Sequence, residues 1–233
     1  MTQQNYSKTF IPLESDPEIF TALGHQLGLA DSVVFKELFS PDESVDGKVL
    51  AYTLAFPTTP TYDAERAENV IHNTLSPDLS DVVFLKQTIH NACGLYALLH
   101  AACNGGARKF IKQGSILHSL LEIPASERTH FLDECQELEQ VYTVAANEGY
   151  TAPPTDIEAE VDWHYTCFAP SSSHHKLYEL DGDRQGPLEH ATLARDLTDF
   201  SSVAISLIRK YFEVAEGEKA AQFNVMALVE GSS

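Results

Sequence analysis

Apolar residues recur along this chain with two distinct periods. After Asp16-Pro17, residues Ile19, Phe20, Leu23 and Leu27 predict an amphipathic helix with Asp16 as N-cap and Pro17 in its first turn. The run from Val49 to Phe56, ended by Pro57, predicts a buried strand, and Val82-Val83-Phe84-Leu85 a second, short one. Leu95, Leu98, Leu99 and Ala102 return to helical spacing, so Gly94 to Cys103 is expected to be a helix that Asn104-Gly105-Gly106 stops. Ser126 to about Ala145, carrying Phe131, Leu132, Cys135, Leu138 and Val141 or Tyr142, is expected to be one longer helix. An acidic, irregular stretch follows from Asn147 to Glu160 with Gly149 and Pro153-Pro154, and a loop of that length is uncommon unless it is functional. Val161 to Phe168 and Lys176 to Leu180 read as strands, Leu197 to Phe212 as a helix and Phe223 to Val229 as a closing strand. Helices and strands interleave, which is the pattern of an α/β or α+β fold.

Composition narrows the functions such a fold can serve. Of 233 residues, 34 are acidic and 15 are Lys or Arg, a formal net charge of −19. Phosphate backbones and anionic lipid are repelled by that balance. The richest basic clusters, Arg108-Lys109 with Lys112 and Arg209-Lys210, hold two or three charges each, so neither a nucleic acid nor a membrane is an expected partner. No apolar run is long enough to span a bilayer. The polar start, Met1 to Lys8, lacks the apolar run of a secretory signal, which predicts a cytoplasmic or nuclear location and reduced thiols. The four cysteines, Cys93, Cys103, Cys135 and Cys167, form no CxxC pair, and the adjacent His174-His175 side chains diverge on a strand. Neither a metal nor another cofactor is expected.

Chemistry concentrates around Cys93. It lies at the mouth of the predicted Gly94–Cys103 helix, where unpaired N–H groups and the positive dipole end favour a thiolate, the nucleophilic form. Gln87, between the Val82–Leu85 strand and this helix, carries an amide that can donate to an oxyanion forming beside Cys93, with the Cys93 N–H as a second donor. A thiol nucleophile needs a base, and the base an orienting group. In the hairpin 161–182, His164 falls on the opposite strand face from Trp163, Tyr165 and Cys167. A turn centred on the Ser171-Ser172-Ser173 run sets His164 opposite Asp181, close enough for a carboxylate to hold the imidazole.

These same residues carry a resemblance. Lys86-Gln87-Thr88-Ile89 with Asn91-Ala92-Cys93-Gly94, then His164, then Leu177-Tyr178-Glu179-Leu180-Asp181-Gly182, resemble the ubiquitin carboxyl-terminal hydrolase family of cysteine peptidases. Pro12-Leu13-Glu14, Pro17-Glu18, Phe223-Asn224 and Ala227-Leu228 extend the likeness across nearly the whole chain. It implies one catalytic domain over 1–233 with a papain-like architecture: a central antiparallel β-sheet, helices on both sides and a knotted backbone. It also implies Cys93 as nucleophile, His164 as base, Asp181 as orienting carboxylate and Gln87 as oxyanion donor. The substrate implied is ubiquitin or a ubiquitin-like protein, cleaved by a monomeric enzyme of the ubiquitin conjugation pathway. Leu13, Glu14, Glu18 and Glu37 are expected to contact that partner's body and Arg-containing tail, and the 147–160 stretch to cross over the active site. Three residues depart from the pattern: His90, and Leu95-Tyr96 in place of smaller side chains. They are expected to affect access or rate.

Overall fold

A computed structural model describes residues 6–41, 43–58, 62, 64, 81–151, 156, 158–159, 161–171, 173, 175–193, 200–214 and 222–231. Its centre is a six-stranded antiparallel sheet. In chain order the strands are β1 (Val33–Leu38), β2 (Lys48–Pro57), β4 (Trp163–Pro170), β5 (Lys176–Leu180), β6 (Leu188–Thr192) and β7 (Asn224–Glu230). In space they run β1-β7-β2-β4-β5-β6. Between β2 and β4 in sequence, the two-residue β3 (Ile89–His90) pairs in parallel with residues Lys8–Thr9 near the start.

The central strands read as almost unbroken apolar runs because both of their faces are buried. On β2, Tyr52, Leu54 and Phe56 enter one core while Ala51 and Ala55 enter the other; on β7, Val225, Ala227 and Val229 oppose Met226 and Leu228 in the same way. One core is covered by α1 (Pro17–Leu27), α2 (Cys93–Cys103), α3 (Ile116–Glu122), α4 (Arg128–Glu134) and α5 (Gln136–Ala146). The other is covered by α6 (Phe200–Val214) through Phe200, Ala204 and Ile208. The expected mixed α/β fold, with an antiparallel sheet between helices, is therefore the observed one.

Helix boundaries follow local chemistry. The Asp16 carboxylate accepts from the N–H groups of Glu18 at 2.7 Å and Ile19 at 3.1 Å, with Pro17 first in α1. After α2 the chain turns at Gly105, φ 51°, where a Cβ would lie 2.9 Å from Pro170; both conformation and space demand glycine.

Three expectations change. The single helix from Ser126 breaks into α4 and α5 at Cys135, whose ψ of 96° is extended. Val82–Leu85 forms no strand. It is held instead by side chains of α2 and of the residue just past its end: the His100 Nε2 accepts from Leu85 N–H at 2.9 Å, and Asn104 accepts from Val83 N–H at 2.8 Å and donates to its carbonyl at 2.9 Å. Within the six-stranded sheet, two strands are absent from the sequence reading, β1 and β6, which lie at its opposite edges, and the short pair of β3 with Lys8–Thr9 is absent from it as well. The predicted helical residues 197–199, the hairpin-turn residues 172 and 174, and 152–155, 157 and 160 of the irregular stretch lie outside the described residues.

Candidate active site

Cys93 is the first residue of α2, and no side chain caps that end of the helix. Backbone amides at an uncapped N-terminus present donors and a positive field to any anion formed there. Asn91 makes the approach possible. Its φ of 58° is left-handed, a conformation Asn tolerates better than other side-chain-bearing residues, and it redirects the chain from β3 into the helix. Cys93 itself is half-buried, so its sulfur is supported by the core yet reachable.

His164 enters from β4 and Asp181 from just beyond β5. Their Nε2 and Oδ1 atoms stand 2.7 Å apart, both residues buried. With Nε2 committed to Asp181, Nδ1 remains, 4.0 Å from Asp183 Oδ2, and Cys93 lies near enough to favour the charged ring. Burial works against a charged imidazole here. The Asp181 charge and hydrogen bond, then Asp183 and Cys93, outweigh it and carry His164 well above its ordinary value. An imidazolium held in that way stabilises an adjacent thiolate. Burial likewise pushes Asp181 up, but His164, the Tyr62 hydroxyl and Arg184 bring it well below the usual carboxylate range.

The strand register differs from the sequence expectation. Cys167 pairs with Leu180 and Pro170 with Leu177, a slip of two residues from the pairing that sets 164 against 181. Because side chains alternate with period two, a slip of two keeps both on one face. His164 and Asp181 meet as diagonal neighbours rather than as a facing pair.

Beneath Asp181 lies polar machinery that the sequence reading did not include. The Tyr62 hydroxyl donates to Asp181 Oδ2 at 2.6 Å, and its ring lies 5.5 Å from that of His164. Arg184 Nε is 3.3 Å from Asp181 Oδ2, and its guanidinium is 3.7 Å from Glu179. Glu179 in turn accepts from Tyr211 at 2.7 Å and pairs with His190 at 2.8 Å. Tyr62 stands in a Pro- and Thr-rich stretch without periodicity, so no local pattern pointed to it. Arg184 was detectable only as a cation close after an acidic turn.

Gln87 is buried, its N–H donating to the Gly182 carbonyl at 2.8 Å and its side-chain amide to Ile89 O at 3.0 Å. An amide NH2 has a second proton. Gly182 packs on this residue: a Cβ there would lie 3.0 Å from Gln87 Cβ.

The expected partner-contact residues separate. Leu13 is a core residue, 5 % exposed, with its carbonyl accepting from Tyr165 at 3.3 Å, so its side chain is not a surface contact. Glu14 accepts from the Thr151 N–H at 3.0 Å and thereby ties down the start of the 147–160 stretch. Glu37 accepts from Asn224 on β7. Glu18 is exposed at the start of α1. Asn91 donates to Ala159 O at 3.4 Å, so the irregular stretch is anchored at a second point, two residues from Cys93. Leu95 and Tyr96 are both buried and cannot gate access; His90 meets the Tyr6 ring at a tilt, with centroids 4.8 Å apart.

A cysteine opening a buried helix, beside a histidine that an aspartate just past a sheet strand holds, defines a papain-like thiol hydrolase. Known proteins place it further. The family described as ubiquitin carboxyl-terminal hydrolase, family 1, matches residues 10–213. Ubiquitin carboxyl-terminal hydrolase 3 of Arabidopsis thaliana is 32% identical over 97% of each chain, and isozyme L1 of Homo sapiens is 26% identical over 95% of this chain and 98% of its own. In fold, the chain is similar to the Trichinella spiralis UCH37 catalytic domain, solved bound to ubiquitin vinyl methyl ester, with a TM-score of 0.73, 24% identity and 96% of each chain covered. The chain belongs to the family 1 ubiquitin carboxyl-terminal hydrolases, which are thiol-dependent deubiquitinases.

Proposed function

We propose that this enzyme, working as a cytoplasmic or nuclear monomer, removes amide, ester or thioester adducts from the C-terminal glycine of ubiquitin or a close relative, and that Cys93, His164, Asp181 and Gln87 carry the reaction. The observation behind these roles is the Cys93–His164–Asp181 chain, with its 2.7 Å buried imidazole–carboxylate contact. The Cys93 thiolate forms a bond to the glycine carbonyl carbon, and the carbonyl electron pair moves onto oxygen. The Cys93 N–H and the Gln87 amide stabilise that oxyanion, a donor typically contributing about 10²–10³ in rate. Collapse breaks the bond to the leaving group, which takes its proton from His164. Water then attacks the thioester, giving a proton back to His164, and the acid leaves with Cys93 restored. Asp181 keeps the imidazole in the tautomer and orientation this exchange needs.

Exposed Glu18 and the Glu14-anchored segment supply acidity that suits an Arg-containing tail. The anchoring of the 147–160 stretch at Thr151 and Ala159 supports its reading as a crossover that limits the size of the leaving group. A ubiquitin probe with a C-terminal electrophile tests the proposal. The wild type is expected to be labelled at Cys93 and to hydrolyse a ubiquitin amide substrate, and Cys93→Ala to do neither while still binding ubiquitin. Hydrolysis by Cys93→Ala at the wild-type rate refutes the assignment, and labelling by small electrophiles alone refutes the substrate class.

A further inference from the structure

Thr88, immediately after Gln87, has all of its polar groups engaged. Its N–H donates to the Tyr96 phenol oxygen at 3.1 Å, its carbonyl accepts from the Ser7 N–H at 2.7 Å, and its hydroxyl donates to Asp133 Oδ1 at 2.7 Å. A hydroxyl has one proton, and Thr88 spends it on Asp133. The 3.1 Å contact between Thr88 Oγ1 and the Tyr96 hydroxyl therefore runs with the phenol donating. Three side chains from three parts of the fold form one directed chain, Tyr96 to Thr88 to Asp133, ending on a carboxylate. Such chains polarise and strengthen their members, and the charged acceptor makes the last bond the strongest.

The location gives the chain a role. Tyr96 sits one turn after Cys93 on α2 and is 1 % exposed, so it answers to the core and not to solvent. Asp133 belongs to α4. Gln87 lies between two fixed points: its own N–H is held by Gly182, beside Asp181, and its C-terminal neighbour is held by the chain just described. An oxyanion donor is effective only when its position is fixed to within about half an ångström, and Gln87 stands on irregular backbone without a strand ladder to fix it. Tyr96 is also one of the positions at which this sequence departs from the pattern it resembles. A smaller side chain there would remove the acceptor of the Thr88 N–H.

We infer that Tyr96, Thr88 and Asp133 form a positioning clamp that registers the Gln87 amide against the helix carrying Cys93, with Tyr96 as its central member. The inference rests on Gln87 being the oxyanion donor. Its signature is selective: the clamp affects steps that generate a carbonyl oxyanion and leaves the Cys93–His164 pair untouched. Alkylation of Cys93 by iodoacetamide, in which sulfur displaces iodide from a saturated carbon, forms no oxyanion and reports that pair alone.

Tyr96→Phe keeps the ring and removes the hydroxyl. Its kcat on a ubiquitin amide substrate is expected to fall about ten-fold with KM unchanged, short of the 10²–10³ expected for Gln87→Ala. Cys93 alkylation, followed by site-resolved mass spectrometry to separate it from Cys135, is expected to match the wild type. Asp133→Ala should behave alike, and Asp133→Asn, which retains an acceptor oxygen, should lose less. Wild-type hydrolysis by Tyr96→Phe and Asp133→Ala, with Gln87→Ala impaired, overturns the clamp and leaves the Gln87 role standing. Wild-type hydrolysis by Gln87→Ala overturns both. Equal losses of hydrolysis and alkylation in both clamp variants also overturn the clamp, because they show a general disturbance of the site.

Discussion

His100 makes acid stability a direct probe of how the active-site loop is held. It lies two turns after Cys93 on α2, is fully buried, stacks on Phe84 at 5.6 Å, and accepts the Leu85 N–H on Nε2. A nitrogen that accepts from an amide carries no proton of its own, so this geometry requires the neutral ring. Burial pushes its pKa down to about 4, against opposing pulls from Asp181 and from backbone hydrogen bonds. The sign follows: in the unfolded chain the group protonates below about 6.5, while in the folded one it resists until about 4. The stability it contributes is fully present above 6.5 and is lost as pH falls towards 4. The full difference is about 3 kcal/mol, of which about 2 kcal/mol is gone by pH 5, a large share of the 5–15 kcal/mol typical of a domain.

The catalytic ionisable groups change stability mainly outside the range from 6.5 to 4, and what they contribute is common to wild type and variant. The raised His164 contributes stability that is complete below 6.5 and lost above it, and the lowered Asp181 contributes stability lost only as acid approaches 3.8 and below. Urea denaturation at intervals from pH 7.5 to 4.5 on wild type and His100→Gln separates the effect from other titrations. Gln offers Leu85 an acceptor that does not protonate. The wild type is expected to lose about 2 kcal/mol more than the variant between pH 7 and 5. Parallel stability curves would refute the reasoning, because they would show that protonating His100 costs the fold nothing.

Other substitutions test separate contacts. Gly182→Ala places a methyl 3.0 Å from Gln87 Cβ, so kcat should fall about ten-fold while KM and the melting temperature hold; an unaltered kcat shows that Gln87 yields without consequence. Arg184→Met leaves Asp181 and Glu179 buried without the cation between them, at an expected cost of about 3–5 kcal/mol in denaturant unfolding, and a loss below 1 kcal/mol contradicts that role. Glu18→Lys should raise KM for a ubiquitin substrate at low ionic strength, with the effect shrinking as salt is added; an unchanged KM removes Glu18 from the binding surface.

How far the site was legible depends on whether its parts repeat or stand alone. Cys93 was readable because a helix start can be located by period, and His164 because strand faces alternate. Asp181 followed from hairpin geometry even though the register was wrong by two, since only odd slips change the face. The polar side chains that finish the site have no period to betray them. His100 and Asn104 lie four apart, on and just past a helix otherwise apolar on all sides, and that was a usable signal: buried polar groups require partners. The partner was the neighbouring Val82–Leu85 segment, whose apolar run looked like a strand because side-chain burial, not backbone pairing, is what such a run reports. Tyr62 and Asp133 reach the site from sequence distances that no local pattern spans, and Arg184, three residues after Asp181, lies in a turn that has no period. The net charge of −19 divides along the same line. Asp181 and Glu179 are spent inside the molecule on a histidine and an arginine, half-buried Asp133 on a threonine and Glu14 on a loop, which leaves Glu18 as the anticipated contact that stands exposed.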